Sequence, residues 1–250
     1  MNVLILAAGY ATRLYPLTLH KSKPLLEVGG KPIIEWLMDS LVDVQDLETV
    51  YVVTNDKFAS DFQAWSKRYR DRQQKFTFKI ISDGSKSDED KLGAIGDINF
   101  VVTQENLTDN ALLIIAGDNL FTESLAGFVS SAKRTEATVA VYDVGDAEAI
   151  KKYGNISVNA EGIITRFEEK PANPCGTLAA IALYYYSPEV LSLLRGYLAD
   201  GNNPDQPGRF VQWLYRRKPV KTFQLKGRWL DIGSKETLEK ADQIFARIQR

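Results

Sequence analysis

Short, continuous apolar runs alternate with segments of helical period through the first half of the chain. Asn2 to Ala7 reads as a buried strand, and Pro32 to Val42 as a helix with Ile34, Leu37 or Met38, and Leu41 turned inward. A strand at Thr49 to Thr54 follows. Phe58, Phe62, Trp65 and Tyr69 then recur at spacings of three and four, the stripe of an amphipathic helix. Phe76 to Ile81 reads as a strand, Leu92 to Val102 as helical, and Ala111 to Ala116 as a strongly apolar strand. Strands alternating with helices pair in parallel through crossovers. The expected fold class is therefore α/β: a mainly parallel, doubly wound (Rossmann-like) sheet with helices on both faces. Ligands of such sheets sit beyond the carboxyl ends of the strands, which singles out the Gly9 loop and Asp118.

From Ala137 onward the texture changes. Asn155 to Val158 and Ile163 to Phe167 flank the turn residues Asn159 to Gly162, a hairpin signal that predicts an antiparallel elaboration. Thr177 to Tyr186 reads as a strand, Pro188 to Leu198 as a helix, Gly201 to Gly208 as a loop, and Lys235 to Ile248 as a closing helix. The tyrosines at 184, 185 and 186 read as alternating core and surface of their strand. With no repeat or flexible linker in its 250 residues, the chain is expected to form one continuous unit.

Composition removes several classes of function. A formal net charge of -1, from 31 Lys plus Arg against 32 Asp plus Glu, gives no global field toward nucleic acid or an anionic membrane. Cys175 is the single cysteine and His20 the single histidine, so no internal disulfide and no zinc site of the Cys/His type is possible. A bound metal must be held by carboxylates. No run approaches the ~18 apolar residues of a membrane span, and a cytoplasmic enzyme is the expectation. The acidic stretch Ser82 to Asp90 lacks the spacing of an EF-hand and reads as a loop.

Chemistry concentrates in LAAGYATRLYPLT, followed by KSKPLL: a strand end, a turn of small residues, and two cations, Arg13 and Lys23. Small residues let backbone N–H groups close on phosphate oxygens, while a guanidinium and an ammonium neutralise polyphosphate charge. The string resembles the N-terminal signature of the sugar nucleotidyltransferase family, the nucleotide sugar pyrophosphorylases: LAAG, any residue, GTRL, any residue, PLT, then PKPLL. Further elements extend the resemblance over nearly the whole chain: LGAIGD at Leu92 to Asp97, AGDNLF around Asp118, KKYGN around Gly154, FEEKP at Phe167 to Pro171, and WLDIGS at Trp229 to Ser234.

The resemblance implies an enzyme that transfers a nucleotidyl group from a nucleoside triphosphate to a sugar 1-phosphate and releases pyrophosphate. It implies a nucleotide-binding half to about residue 136 and a sugar-phosphate-binding half with the closing helix beyond it. The implied nucleotide-binding residues are Leu6, Ala7, Ala8, Gly9, Ala11, Thr12, Arg13 and Gly93; the sugar-phosphate-binding residues are Asn119, Gly154, Glu169 and Lys170. Asp118 and Asp231 would hold Mg²⁺, and Arg13, Lys23 and Lys170 would be the catalytic cations. Thymidine or uridine triphosphate with glucose 1-phosphate is the expected pair, GTP or CTP the alternatives. A nucleotide-sugar-dependent glycosyltransferase and a catalytically silent nucleotide-sensing subunit are rival readings.

Three positions depart from the family pattern. Ala11 replaces the second glycine of the loop, so its backbone is expected to avoid positive φ. Ser22 stands where proline usually precedes the lysine, and Ala182 where many relatives carry glycine. The two aspartates lie 113 positions apart, so spacing says nothing about whether they meet.

Overall fold

The computed structural model describes residues 1–248. The chain divides into two compact units that interleave in sequence: one comprises residues 2–91, 115–126 and the segment from 227 onward, the other residues 92–114 and 127–226.

In the first unit the strands Asn2–Ala7, Thr49–Thr54 and Thr77–Ser82 pair in parallel, with Val3 opposite Val50, Ala7 opposite Thr54 and Thr54 opposite Ser82. Val3, Leu4 and Ile5 in succession are wholly buried, as a strand covered on both faces requires. The helix Ala59–Arg72 turns Phe62, Trp65 and Tyr69 inward, the stripe its periodicity announces. The helix Ile33–Ser40 joins a core of Leu14, Leu26, Val28, Ile33, Trp36, Leu120, Ile232, Ala241 and Phe245. The closing helix Lys235–Ile248 supplies Phe245, whose ring meets that of Trp36 edge-on at 4.7 Å. It also docks on the turn at Gly29, whose N–H donates to Asp242 Oδ1 at 2.8 Å. Gly29 has φ 55°, and a Cβ there would stand 2.7 Å from the Phe245 carbonyl carbon, so this junction needs glycine twice over.

The second unit carries the antiparallel elaboration. Its strand order is Ile164–Glu169, Gly154–Val158, Leu178–Tyr186, Ala137–Asp143, with Lys221–Gln224 pairing in parallel on the last. The turn after Val158 closes through Gly162 at φ 72°. The helices Pro188–Leu191 and Pro207–Leu214 pack on this sheet, and the helices Ala94–Gln104 and Leu193–Ala199 pack with them. Two expectations are corrected here. The helix expected over Pro188 to Leu198 is interrupted at Ser192. The turn-rich stretch ending at Gly208 gives way to a helix at Pro207, where proline occupies the first helical position and its missing N–H costs nothing. Among the described residues, no helix is long and apolar enough to cross a membrane.

Candidate active site

The strand Asn2–Ala7 ends in the loop of small residues, and three hydrogen bonds fix that loop. Asn55 Nδ2 donates to the Ala8 carbonyl at 2.9 Å, Thr18 Oγ1 to the Ala11 carbonyl at 2.8 Å, and the Leu14 N–H to the same carbonyl at 2.9 Å. Ala7 and Ala8 are buried, whereas Gly9, Thr12 and Arg13 are exposed. A Cβ at Gly9 would meet nothing within 4 Å, so the space beside its backbone is open. Ala11 corrects the expectation stated above: it adopts φ 50° and ψ 43°, the left-handed conformation of a glycine. The strain, ~1–2 kcal/mol for a residue with a Cβ, is offset by the two hydrogen bonds on its carbonyl and by its packing against the core. Ala11→Gly is accordingly expected to raise stability by up to ~1 kcal/mol, read as a shift in the denaturant midpoint at constant slope; a lower midpoint would show that packing of the methyl outweighs the strain.

Ser22 takes φ -63°, the angle a proline ring would impose, and its carbonyl accepts the Leu25 N–H at 2.9 Å, opening the short helix Lys23–Leu25. Lys23 is thus placed as if proline preceded it. Its Nζ lies 2.8 Å from Asp118 Oδ2, and the pair is largely shielded, with side-chain exposures of 18% and 27%.

Asp118 reaches this position through the Gly117 turn. The Gly117 N–H donates to the Leu6 carbonyl at 2.8 Å, which sets the turn after Leu112–Ala116 against the end of the first strand. A Cβ at Gly117 would stand 2.9 Å from that carbonyl oxygen and 2.8 Å from Pro24 Cγ. Asp231 arrives from the far end of the chain. The strands Asn119–Phe121 and Trp229–Asp231 pair antiparallel with Asp231 opposite Asn119, and the Ile232 N–H donates to the Asp118 carbonyl at 3.2 Å. Backbone pairing therefore brings two aspartates distant in sequence to neighbouring strand ends, with the Asp118 carboxylate meeting Lys23 and the Gly117 turn meeting the end of the first strand. Asn119 is buried and its amide is engaged within the protein: Oδ1 accepts the Trp229 indole N–H, and Nδ2 donates to the Ala116 carbonyl at 3.3 Å and to Asp118 Oδ1 at 3.4 Å.

Among the described residues, no group of three or more His, Cys, Asp or Glu side chains gathers to enclose a metal. A pair of carboxylates suits Mg²⁺, which keeps several waters and takes its remaining oxygens from substrate phosphates. The donor set at Asp118 and Asp231 fits that ion and does not fit the thiolate and imidazole shells preferred by zinc.

In the second unit, Glu169 ends the strand Ile164–Glu169, and the chain turns at Lys170, whose φ is 50°. The Lys170 N–H donates to the Tyr153 carbonyl at 3.0 Å, which holds this exposed residue in a left-handed backbone conformation that costs ~1–2 kcal/mol for a residue with a Cβ. Gly154 lies opposite Glu169 in register. Burial pushes the Glu169 carboxyl above the ordinary range, and the charges of Lys170 and Arg209 pull it back. Gly93 has φ 79° and precedes the helix Ala94–Gln104, whose first N–H groups donate to the carbonyls of Asp205 and Pro204. Ala182 lies where the pairing of Leu178–Tyr186 with Ala137–Asp143 shifts register. His20 and Cys175 are exposed residues outside both clusters.

The model of the family described as nucleotidyl transferase matches residues 2–247. The chain belongs to that family. The resemblance carried by the N-terminal signature and the two aspartate segments is thereby borne out. A UTP–glucose-1-phosphate uridylyltransferase of Haloferax volcanii is 28% identical over 246 residues, covering 97% of this chain and 96% of the relative. A glucose-1-phosphate thymidylyltransferase of Mycobacterium tuberculosis is 26% identical over 263 residues, covering 100% of this chain and 84% of the relative. A UDP-glucose pyrophosphorylase solved with UDP-glucose shares the fold at TM-score 0.80 and 22% identity, over 100% of this chain and 99% of that one. The α/β, Rossmann-like architecture expected of the nucleotidyl transferase is confirmed at full length.

Proposed function

We propose that the protein joins a nucleoside triphosphate to a sugar 1-phosphate, with dTTP or UTP and glucose 1-phosphate as substrates, and releases pyrophosphate. The observation that supports this reading is the Lys23–Asp118 pair beside the turn that abuts the first strand, together with the backbone pairing that brings the Asp231 strand next to Asp118. The relatives named above, which use UTP or thymidylyl transfer with glucose 1-phosphate, support the choice of substrates.

The reaction is a direct in-line displacement: a phosphate oxygen of the sugar 1-phosphate attacks the α-phosphorus, and the bond to the pyrophosphate oxygen breaks. The attacking monoester is already largely ionised near neutrality, so alignment and charge control the barrier and no histidine base is needed. Asp118 and Asp231 would hold Mg²⁺, which supplies neutralisation of phosphate charge. Arg13 and Lys23 stabilise the departing pyrophosphate, Lys170 grips the sugar phosphate, and Glu169 accepts hydrogen bonds from sugar hydroxyls. Asn119 steadies Asp118 and the Trp229 strand beneath it.

A matrix of triphosphates against sugar 1-phosphates, read by magnesium-dependent pyrophosphate release, tests the reading. Turnover is expected with thymidine or uridine triphosphate and glucose 1-phosphate, and silence in every pairing would overturn it. Sugar transfer to an acceptor without pyrophosphate would instead identify a glycosyltransferase. Within the matrix, Lys170→Ala is expected to raise KM for the sugar 1-phosphate about 30-fold, the worth of one charge-assisted hydrogen bond, while KM for the triphosphate stays put. Equal kinetics for that sugar would remove Lys170 from its role.

A further inference from the structure

Glu169 is held from a direction that the family resemblance does not mention. The helix Pro207–Leu214 lies against the strand that ends in Glu169, and two of its residues meet that side chain or its backbone. Gln212 Oε1 accepts the Glu169 N–H at 3.1 Å. Gly208, one turn earlier, leaves a space occupied by the carboxylate: a Cβ on Gly208 would overlap Glu169 Oε2 and stand 3.1 Å from both Glu169 Cδ and Phe167 Cζ. Arg209 adds a positive charge that draws the carboxyl toward its ionised form. On the other side is Gly154, where a Cβ would stand 3.1 Å from the same Oε2 and 2.6 Å from Phe167 Cζ. One oxygen of Glu169 is therefore enclosed between two glycines, on a strand and on a helix.

Neither glycine is there for its backbone freedom. Neither is among the glycines with positive φ, so a residue with a Cβ could adopt the backbone of either. What Gly208 contributes is room. With one carboxylate oxygen enclosed and its backbone N–H tied to Gln212, Glu169 has little freedom to swing, and its second oxygen is the one that would accept from a ligand hydroxyl.

We propose that Gly208 and Gln212 are positioning residues for Glu169, and that the helix Pro207–Leu214 thereby sets recognition of the sugar half of the substrate. The inference rests on Glu169 being the sugar-hydroxyl acceptor of the proposed reaction. Gly208→Ala pushes the carboxylate out of its enclosure, and Gln212→Ala unties its backbone.

The experiment is steady-state kinetics with glucose 1-phosphate as the varied probe at saturating triphosphate, alongside a carbon-13 NMR titration of labelled glutamate carboxyls. Gly208→Ala is expected to raise KM for glucose 1-phosphate about tenfold or more, and Gln212→Ala about threefold, with KM for the triphosphate within about twofold of the parent in both. Shortening the side chain, with Glu169→Asp added to Gly208→Ala, is expected to recover part of the loss. In the titration, the Glu169 resonance, assigned by its absence in Glu169→Gln, is expected above the ordinary glutamate range in the parent and nearer to that range in Gly208→Ala. Unchanged glucose 1-phosphate kinetics with an unchanged titration would overturn the proposal, as would equal losses for both substrates with no rescue by the shorter side chain. If the parent fails to turn over glucose 1-phosphate, the functional reading fails, and the titration alone then decides whether Gly208 positions Glu169.

Discussion

Asp118→Asn is expected to lower kcat by at least about 100-fold, and Asp231→Asn to do the same, while both proteins remain folded. Removing a single group that stabilises charge in the transition state costs ~3–4 kcal/mol. The fold should tolerate the change because Asp118 bears on its surroundings chiefly through Lys23, and an ion pair with partial solvent access contributes ~1 kcal/mol or less. The backbone contacts that bring the strands together, Asp231 opposite Asn119 and the Ile232 N–H on the Asp118 carbonyl, do not involve either carboxylate. Asparagine also keeps the side-chain volume. The measurements are pyrophosphate release at saturating magnesium, calorimetric titration with the divalent ion, and a thermal melt. Weakened divalent binding with an unchanged melt supports the ligand role. Near-normal turnover in either variant would strike that residue from the metal site.

The sequence made some of this visible and concealed the rest for identifiable reasons. Strands Asn2–Ala7 and Thr49–Thr54 were legible to the residue, because a strand covered on both faces reads as an unbroken apolar run. Phe62, Trp65 and Tyr69 announce their helix because one face of it is buried. The helix Pro207–Leu214 hides behind Gln206, Pro207 and Gly208. Proline and glycine there resemble a turn, yet the proline opens the helix, and the glycine makes space for a carboxylate that only the tertiary structure brings near. Gln212 and Arg209 go unnoticed for the same reason: a polar residue on a helix carries no local mark of what it faces. At Ala11 a local preference misleads. The expectation of negative φ is sound for an isolated alanine, but two hydrogen bonds to its carbonyl and contact with the core hold it at φ 50°. The pairing of Asp118 with Asp231 has no local signature, since antiparallel pairing between Asn119–Phe121 and Trp229–Asp231 depends on the whole intervening chain closing back on itself. Only the family resemblance linked the two in advance.

Removing the charge at position 23 is expected to act in opposite directions on two measurable quantities. In Lys23→Ala, kcat should fall by about 100-fold, since an ammonium that stabilises the leaving pyrophosphate acts mainly on the transition state. Affinity for a divalent cation in the absence of nucleotide should instead rise, by about threefold to tenfold. The Lys23 ammonium sits 2.8 Å from Asp118 Oδ2, so an arriving cation must both share that carboxylate and approach a fixed positive charge. Without the ammonium both penalties vanish. Manganese binding followed by electron paramagnetic resonance reads the affinity directly and needs no turnover; raised salt should shrink the difference between parent and variant, because the pair keeps partial access to water. A variant that binds the cation no better than the parent would mean that Lys23 does not compete for Asp118. A variant with full turnover would mean that the leaving pyrophosphate is stabilised without it, leaving Arg13 as the cation of the loop.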